Sequence, residues 1–166
     1  APYKFVRDID EGGYTKNRIV EFDHLQNKAL INDLKDKTTS TIDIEQDIQD
    51  LVSAYYYLRN NYKTETIKQG DVVELNIFFD EETFLFKLKY LGRETISTAF
   101  GDIKCIKFRP YVMAGRVFKE EESLTLWVTA DKNKIPVKIK ADLRVGSLRA
   151  DLVAQKGLKY PFEIQL

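Results

Sequence analysis

The sequence predicts a mainly β protein: a curved antiparallel meander sheet or half-open barrel, with one α-helix packed on it. Three observations carry that expectation. Apolar residues recur with period two along most of the chain, the mark of strands with one buried face. Short polar or glycine-containing connections join each strand to the next. A single segment changes to helical spacing. The pattern counts about nine or ten strands, and antiparallel meanders of that size commonly curl or close.

The chain begins with Tyr3, Phe5 and Ile9 on one strand face. Next comes "RDIDEGGYTKNRI", residues 7–19, the stretch that looks most like a site. An EF-hand calcium loop needs further oxygen ligands at its fifth and twelfth positions. Here Asp8 and Asp10 fit the first two ligand positions, but Gly12 and Ile19 fall at the third and the twelfth. A phosphate loop needs more glycines or a Gly-Lys-Ser/Thr ending ahead of a helix, and a strand follows instead. The stretch reads as a reversal in which Gly12-Gly13 supply positive φ between strands at 3–10 and 18–23. "RIVEFDHLQNKALI" then gives two short strands around Asp23 to Asn27.

"DIEQDIQDLVSAYYYLRNNY" places Ile48, Leu51, Val52, Tyr55, Leu58 and Tyr62 at helical spacing. Asp43 or Asp47 is the expected cap and Asn60-Asn61 the stop. Residues 72–91 read as a hairpin. Val73, Leu75, Ile77 and Phe79 share one face, and Phe84, Phe86, Leu88 and Tyr90 share the face opposite Lys87 and Lys89. "TISTAFGDIKCIKF" reads as a hairpin centred on Gly101-Asp102 with a type II′ turn. "SLTLWVTADKNKIPVKIKADL" forms another around Asp131 to Lys134. There Pro136, lacking an N–H, sits at a strand start or edge. Gly146-Ser147 turns into "LRADLVAQ". No repeat, low-complexity run or linker divides the chain, so residues 1–166 read as one domain.

Lysine plus arginine and aspartate plus glutamate each total 26, with no basic arm or face. That balance argues against nucleic acid, whose binding depends on neutralising phosphates. No run approaches the roughly 18 apolar residues of a membrane-crossing helix, so the chain reads as not transmembrane. "APYKFVRDID" shows no signal peptide. Cys105 and His24 are the single cysteine and histidine. They offer no metal-ligand set and no disulfide, and no nucleophile elbow accompanies them. The acidic runs "FFDEET" and "KEEES" (Glu120, Glu121, Glu122) fall where turns are expected, which favours solvated loops over paired catalytic carboxylates. The expectation is a non-enzymatic protein with no catalytic residues, no metal and no cofactor.

The aromatic content is more suggestive: ten Phe, nine Tyr and one Trp. Tyr55-Tyr56-Tyr57 cannot all face one way on a helix that turns by about 100° per residue. Trp127, between Leu126 and Val128, makes its strand apolar on both faces. Such a strand is either covered twice or lines a cavity. Both readings stay open: a thick core, or a lipophilic pocket lined by Tyr55, Tyr56, Phe86, Tyr90 and Trp127.

Four stretches, "YKFVRDIDEGGYTKNRIVEFDH", "IQDLVSAYYYLRN", "GDVVELNIFFDEETFLFKLKYLGRETI" and "SLTLWVTADKNKIPVKIKADLRVGSLRADL", together resemble the bacterial exported family called domain of unknown function 3108. The resemblance runs in order over nearly the whole chain and transfers no catalytic residue. It implies a secretion signal in the family, hence a periplasmic or cell-envelope location, often in Bacteroides-like bacteria. It implies a curved antiparallel sheet similar to the half-open barrels of periplasmic lipoprotein carriers. It also implies strands upstream of "YKFVRD", so an open sheet edge and self-association through it are expected. Two functions follow as expectations: binding of a lipid or other apolar small molecule on a concave sheet, or a structural module meeting an envelope protein.

Overall fold

The computed structural model describes residues 1–63, 66–113, 124–142 and 146–165. It contains strands β1 (Lys4–Glu11), β2 (Tyr14–Asp23), β3 (Lys28–Asp33) and β4 (Thr38–Asp43), then helix α1 (Leu51–Asn61). Six more strands follow: β5 (Val72–Phe79), β6 (Glu82–Thr98), β7 (Gly101–Met113), β8 (Leu124–Thr129), β9 (Pro136–Asp142) and β10 (Ser147–Asp151). The protein is mainly β, as the period-two pattern predicts. The strands form two antiparallel meanders, ordered β1-β2-β3-β4 and β10-β9-β8-β7-β6-β5, and neither sheet closes into a barrel.

The chain divides into two compact units. The first comprises residues 1–61 and 75–85, and the second residues 62–74 and 86–166. The β5–β6 hairpin therefore gives its tip to the first unit and its base to the second. No linker separates the units because the shared element is a hairpin.

In the first unit, Gly12 and Gly13 make the two-residue turn between β1 and β2 with φ of 55° and 94°. Both angles lie in the left-handed region that a tight hairpin requires. The stretch at 7–19 is thus a strand reversal. The register pairs Arg7 with Arg18 and Arg18 with Asp33, so alternate residues of three strands share a face. That face carries Val20, Phe22, Ala29 and Ile31, which join Ile44, Ile48 and Phe78 in one buried cluster. Strand β4 was not foreseen. "TTSTID" has no apolar alternation, and its residues are exposed apart from half-buried Ile42.

Helix α1 starts later than its spacing suggests, and the cap is neither Asp43 nor Asp47. Asp50 Oδ1 accepts from the backbone N–H groups of Val52 and Ser53, each at 2.7 Å. The Asp50 N–H donates to Ser53 Oγ at 2.8 Å. This reciprocal pair satisfies donors that a helix start leaves unpaired. Ile48 and Gln49 are held differently: Gln49 bridges to Ile77 in parallel fashion, which delays the helix until Leu51.

The tip of the hairpin at 72–98 is two residues, Asp80 and Glu81, rather than four. Both have positive φ, 53° and 73°. In the second unit, the β6–β7 reversal falls on Ala99-Phe100, with Gly101 (φ 111°) following rather than leading the turn. A turn of that kind places its left-handed residue after the two central positions. Strands β8 and β9 reverse at Asp131–Lys134 as expected, and Pro136 opens β9 after a register irregularity at Trp127/Val128. The acidic run at 119–123 lies outside the described residues.

Replacing Asp50 by Ala removes the carboxylate oxygen that accepts from both the Val52 and the Ser53 N–H. The expected loss is about 1–2 kcal/mol of stability, read from the urea midpoint of the purified protein. An unchanged midpoint would show that the cap does not hold the helix.

Candidate functional site

Three groupings of polar and aromatic side chains stand out, one in the first unit and two in the second. In the first unit the face carrying Val20 and Ile31 ends in charge. Asp80 Oδ1 accepts from Arg7 Nη1 at 3.3 Å and Arg18 Nη1 at 3.1 Å, and it pairs with Lys16 Nζ. Arg18 also reaches Glu81 Oε1 at 2.7 Å and Asp33 Oδ2 at 2.6 Å. The Arg7 guanidinium lies 4.7 Å above the Phe79 ring. A cavity of about 20 Å³ sits beneath, lined in part by Phe5, Val20 and Phe78, which is room for about one water. Three cations face three acids, so the cluster is neutral. Its chemistry is to dock the hairpin tip, and it leaves no surplus charge for a ligand.

The same contacts move the carboxyls. Partial burial raises Asp80, but the hydrogen bond from Lys16 and the charges of Lys16, Arg7 and Arg18 outweigh it and hold the group below its ordinary value. The Arg18 hydrogen bond, with the Asp36 N–H, lowers Asp33 likewise.

The second unit holds Trp127. The register places Lys107, Trp127 and Lys138 in one row across β7, β8 and β9. The two ammonium groups stand 5.3 and 5.2 Å from the indole, within cation–π range. Trp127 Nε1 donates to Glu94 Oε2 at 3.0 Å, and Lys107 Nζ reaches the same oxygen at 3.1 Å. Those two hydrogen bonds hold the Glu94 carboxyl below its usual range. Trp127 itself joins Ile96, Ile103, Cys105 and Val137 in a buried cluster that Phe100 and Phe162 flank.

The five aromatics expected to line a pocket divide by environment. Tyr55 and Tyr56 lie on α1 in the first unit and meet edge to face, 5.5 Å between centroids. Burial pushes the Tyr55 hydroxyl up to about 12, whereas Tyr56 is 53% exposed. Phe86, Tyr90 and Trp127 belong to the second unit. Phe86 is half-buried on β6. Tyr90 is buried and tilts onto Phe108 at 5.8 Å, and Phe108 also meets Tyr62 at 5.5 Å. Tyr90 and Trp127 thus have different neighbours, on opposite faces of β7.

The third grouping was missed at the level of sequence. Asp131 Oδ1 accepts from Thr129 Oγ1 at 2.6 Å and from the Asn133 N–H at 2.8 Å. Asn133, with no exposed surface, donates through Nδ2 to the carbonyls of Tyr160 and Pro161, both at 3.1 Å. Its Oδ1 accepts from the Tyr160 N–H at 3.1 Å. The visible signal was "ADKNK" ahead of Ile-Pro, an Asx-rich turn. Nothing in that signal showed that the turn would also hold a segment 27 residues away.

His24 Nε2 hydrogen-bonds the Pro2 carbonyl at 2.7 Å, and its ring stacks on Phe22. Cys105 has no exposed surface, and burial pushes its thiol up to about 12, the opposite of an activated nucleophile. Among the described residues no group of three or more His, Cys, Asp or Glu is placed to hold a metal, and no helix is long and apolar enough to cross a membrane.

Fold and side chains together define a mainly β, two-sheet protein with well-filled apolar clusters and charge-paired strand ends. A family model described as "Protein of unknown function (DUF3108)" matches residues 1–153, and the chain belongs to that family. No curated protein and no solved structure matches it.

Asp33 and Asp80 titrate below their unfolded value of roughly 3.9. The stability they contribute is therefore present above that value and is lost as pH falls through their folded values. Asp80→Asn is expected to lower the urea midpoint at pH 7 and to flatten its fall between pH 5 and 2. A variant as acid-sensitive as the parent would show that the cluster carries none of that dependence. Cys105 is expected to react with an aromatic disulfide reagent only in denaturant, and stoichiometric labelling of native protein within minutes would contradict its burial.

Proposed function

We propose that this protein is a non-enzymatic interaction module of the bacterial cell envelope, acting in the periplasm, and that it meets a protein partner through the outward face of α1. One observation carries the reading. At about 100° per residue, Leu51, Val52, Tyr55 and Tyr56 fall within a sector of about 140°. The residues α1 buries, Ala54 and Leu58, border that sector on its Leu51 side, about 60° and 20° beyond it. A helix laid on a sheet normally presents polar side chains to water. Here Leu51, Val52 and Tyr56 are 44%, 57% and 53% exposed.

The chemistry favours a protein over a lipid at this face. Tyrosine is enriched at protein interfaces because one rigid ring offers apolar area and a hydroxyl together. A lipid is better served by a concave, largely apolar pocket. The burial of Tyr90 against Phe108 and of Trp127 beneath two lysines supports a packed interior in the second unit.

A photo-crosslinking amino acid at Tyr56 is expected to capture one envelope protein that the same group at Lys140 does not. Val52→Glu is expected to weaken binding of that purified partner at least tenfold without changing the melting temperature. Equal capture from both positions, or unchanged affinity in Val52→Glu, would refute the reading. A lipid recovered in stoichiometric amount would instead support apolar-ligand binding and turn attention to Tyr55, Tyr56, Phe86, Tyr90 and Trp127.

A further inference from the structure

The first sheet ends in a strand whose outer side is bare. β1 lies at the edge of the order β1-β2-β3-β4, and among the described residues no segment pairs beyond it. Its eight residues run in unbroken register against β2 from Lys4 to Glu11, with no proline and no bulge. Prolines, bulges and short length are the devices by which edge strands usually refuse a partner. The other edges are less open. β4 and β10 have only six and five residues, and Gln49 already bonds the outer side of β5 at Asn76 and Phe78.

The ladder shows which groups of β1 are free. Along an antiparallel edge strand, residues alternate between bonding the neighbour and pointing their N–H and C=O away from it. The Phe22 N–H donates to the Tyr3 carbonyl at 3.0 Å, and the two-residue turn closes on the Glu11–Tyr14 pair. Odd-numbered residues of β1 therefore bond β2, and the backbone groups of Lys4, Val6, Asp8 and Asp10 point outward. The side chains of those four share the sheet face away from the Val20 cluster, where Val6 stands opposite Ile19 and is 55% exposed.

We propose that β1 pairs antiparallel with β1 of a second copy about a two-fold axis at Val6, joining the two four-stranded sheets into one.

Charge complementarity selects both the occupant and the register. A two-fold axis perpendicular to the sheet keeps both buried faces on one side and can pass at Val6, Arg7 or Asp8. Like charges placed directly opposite destabilise a strand pair, whereas unlike charges and apolar pairs stabilise it. Centred on Asp8, the pairing sets Asp8 against itself; centred on Arg7, it sets Arg7 against itself and Val6 against Asp8. Centred on Val6, it sets Val6 against Val6, and Lys4 of each copy against Asp8 of the other. Two rows then continue across the joint. Ile19 and Val6 of one copy meet Val6 and Ile19 of the other, and the Lys4–Glu21 ion pair of 3.3 Å extends to Asp8 of the second copy. Lys4, Val6 and Asp8 of each chain gain about six backbone hydrogen bonds in all, two for each facing pair. β1 is thus its own complement. Pairing of β1 with β4 of another copy does not close and runs on into fibres, whereas the two-fold pair is complete at two chains.

Sedimentation equilibrium of the full chain over a hundredfold range of concentration tests the proposal. The parent is expected to rise from the chain mass toward twice that mass. Val6→Pro removes an N–H that points away from β2, so it spares the intrachain ladder; it is expected to stay monomeric throughout. Val6→Lys serves the same purpose should the proline variant fail to fold. Lys4→Asp and Asp8→Lys are each expected to weaken the dimer at least tenfold, and an equimolar mixture of the two to restore it, because every facing pair is again Asp with Lys. Asp10→Lys is expected to change nothing. A parent that stays monomeric over the whole range would overturn the proposal. So would a dimer indifferent to Val6→Pro, or a mixture of the charge variants that stays monomeric. A dimer lost in Val52→Glu but kept in Val6→Pro would place the contact on α1, and would overturn it equally.

Discussion

Each unit contains at least one strand buried on two faces. A strand with one wet face buries every second residue. Here neighbours are buried together: Ile77 and Phe78 at 1% and 2% exposure, Cys105 and Ile106 at 0%, Trp127 and Val128 at 7% and 6%. In the second unit the cover comes from different sources. Phe100 and Phe162 lie on the side of Cys105 and Trp127, and Tyr62 and Tyr90 lie on the side of Phe108. Removing apolar area from both faces of a strand roughly doubles its hydrophobic contribution, at about 25 cal/mol per Å². Exposed apolar area remains on α1, at Leu51, Val52 and Tyr56.

Charge does a different job from apolar packing. The Asp80-Glu81 turn puts two non-glycine residues in the left-handed region, where each costs of order 1 kcal/mol. Glycine would relieve that strain, but it would carry no carboxylate to meet Arg7, Lys16 and Arg18. The ion pairs and the turn therefore select each other. The same economy appears at Asp131 and Asn133, where two short side chains close a turn and grip a distant segment through backbone atoms alone.

How much of this could be read from the chain depends on what each signal reports. Alternation at Phe84, Leu88 and Tyr90 marked their buried face correctly because it records a contact every second residue makes. Gly12-Gly13 marked a reversal because few other residues accept both angles. Strand β4 was invisible, since an exposed Thr-rich strand carries no apolar period. The helix cap was misplaced among several aspartates because the parallel bridge at Gln49, a long-range contact, decides where α1 begins. Two compact units were hidden because a shared hairpin leaves no linker composition to notice. The aromatic candidates show the same limit: parity reports which side a ring takes, never what covers it, so it could not separate buried Trp127 from exposed Tyr56.

The central claim is that recognition takes place on the surface of a protein whose interior is filled by its own side chains. Native mass spectrometry of freshly purified protein, paired with lipid analysis of an organic extract, tests it most directly. The account predicts the bare chain mass and no lipid in stoichiometric amount. A persistent adduct of lipid mass would contradict it and show that the interior opens around an apolar ligand.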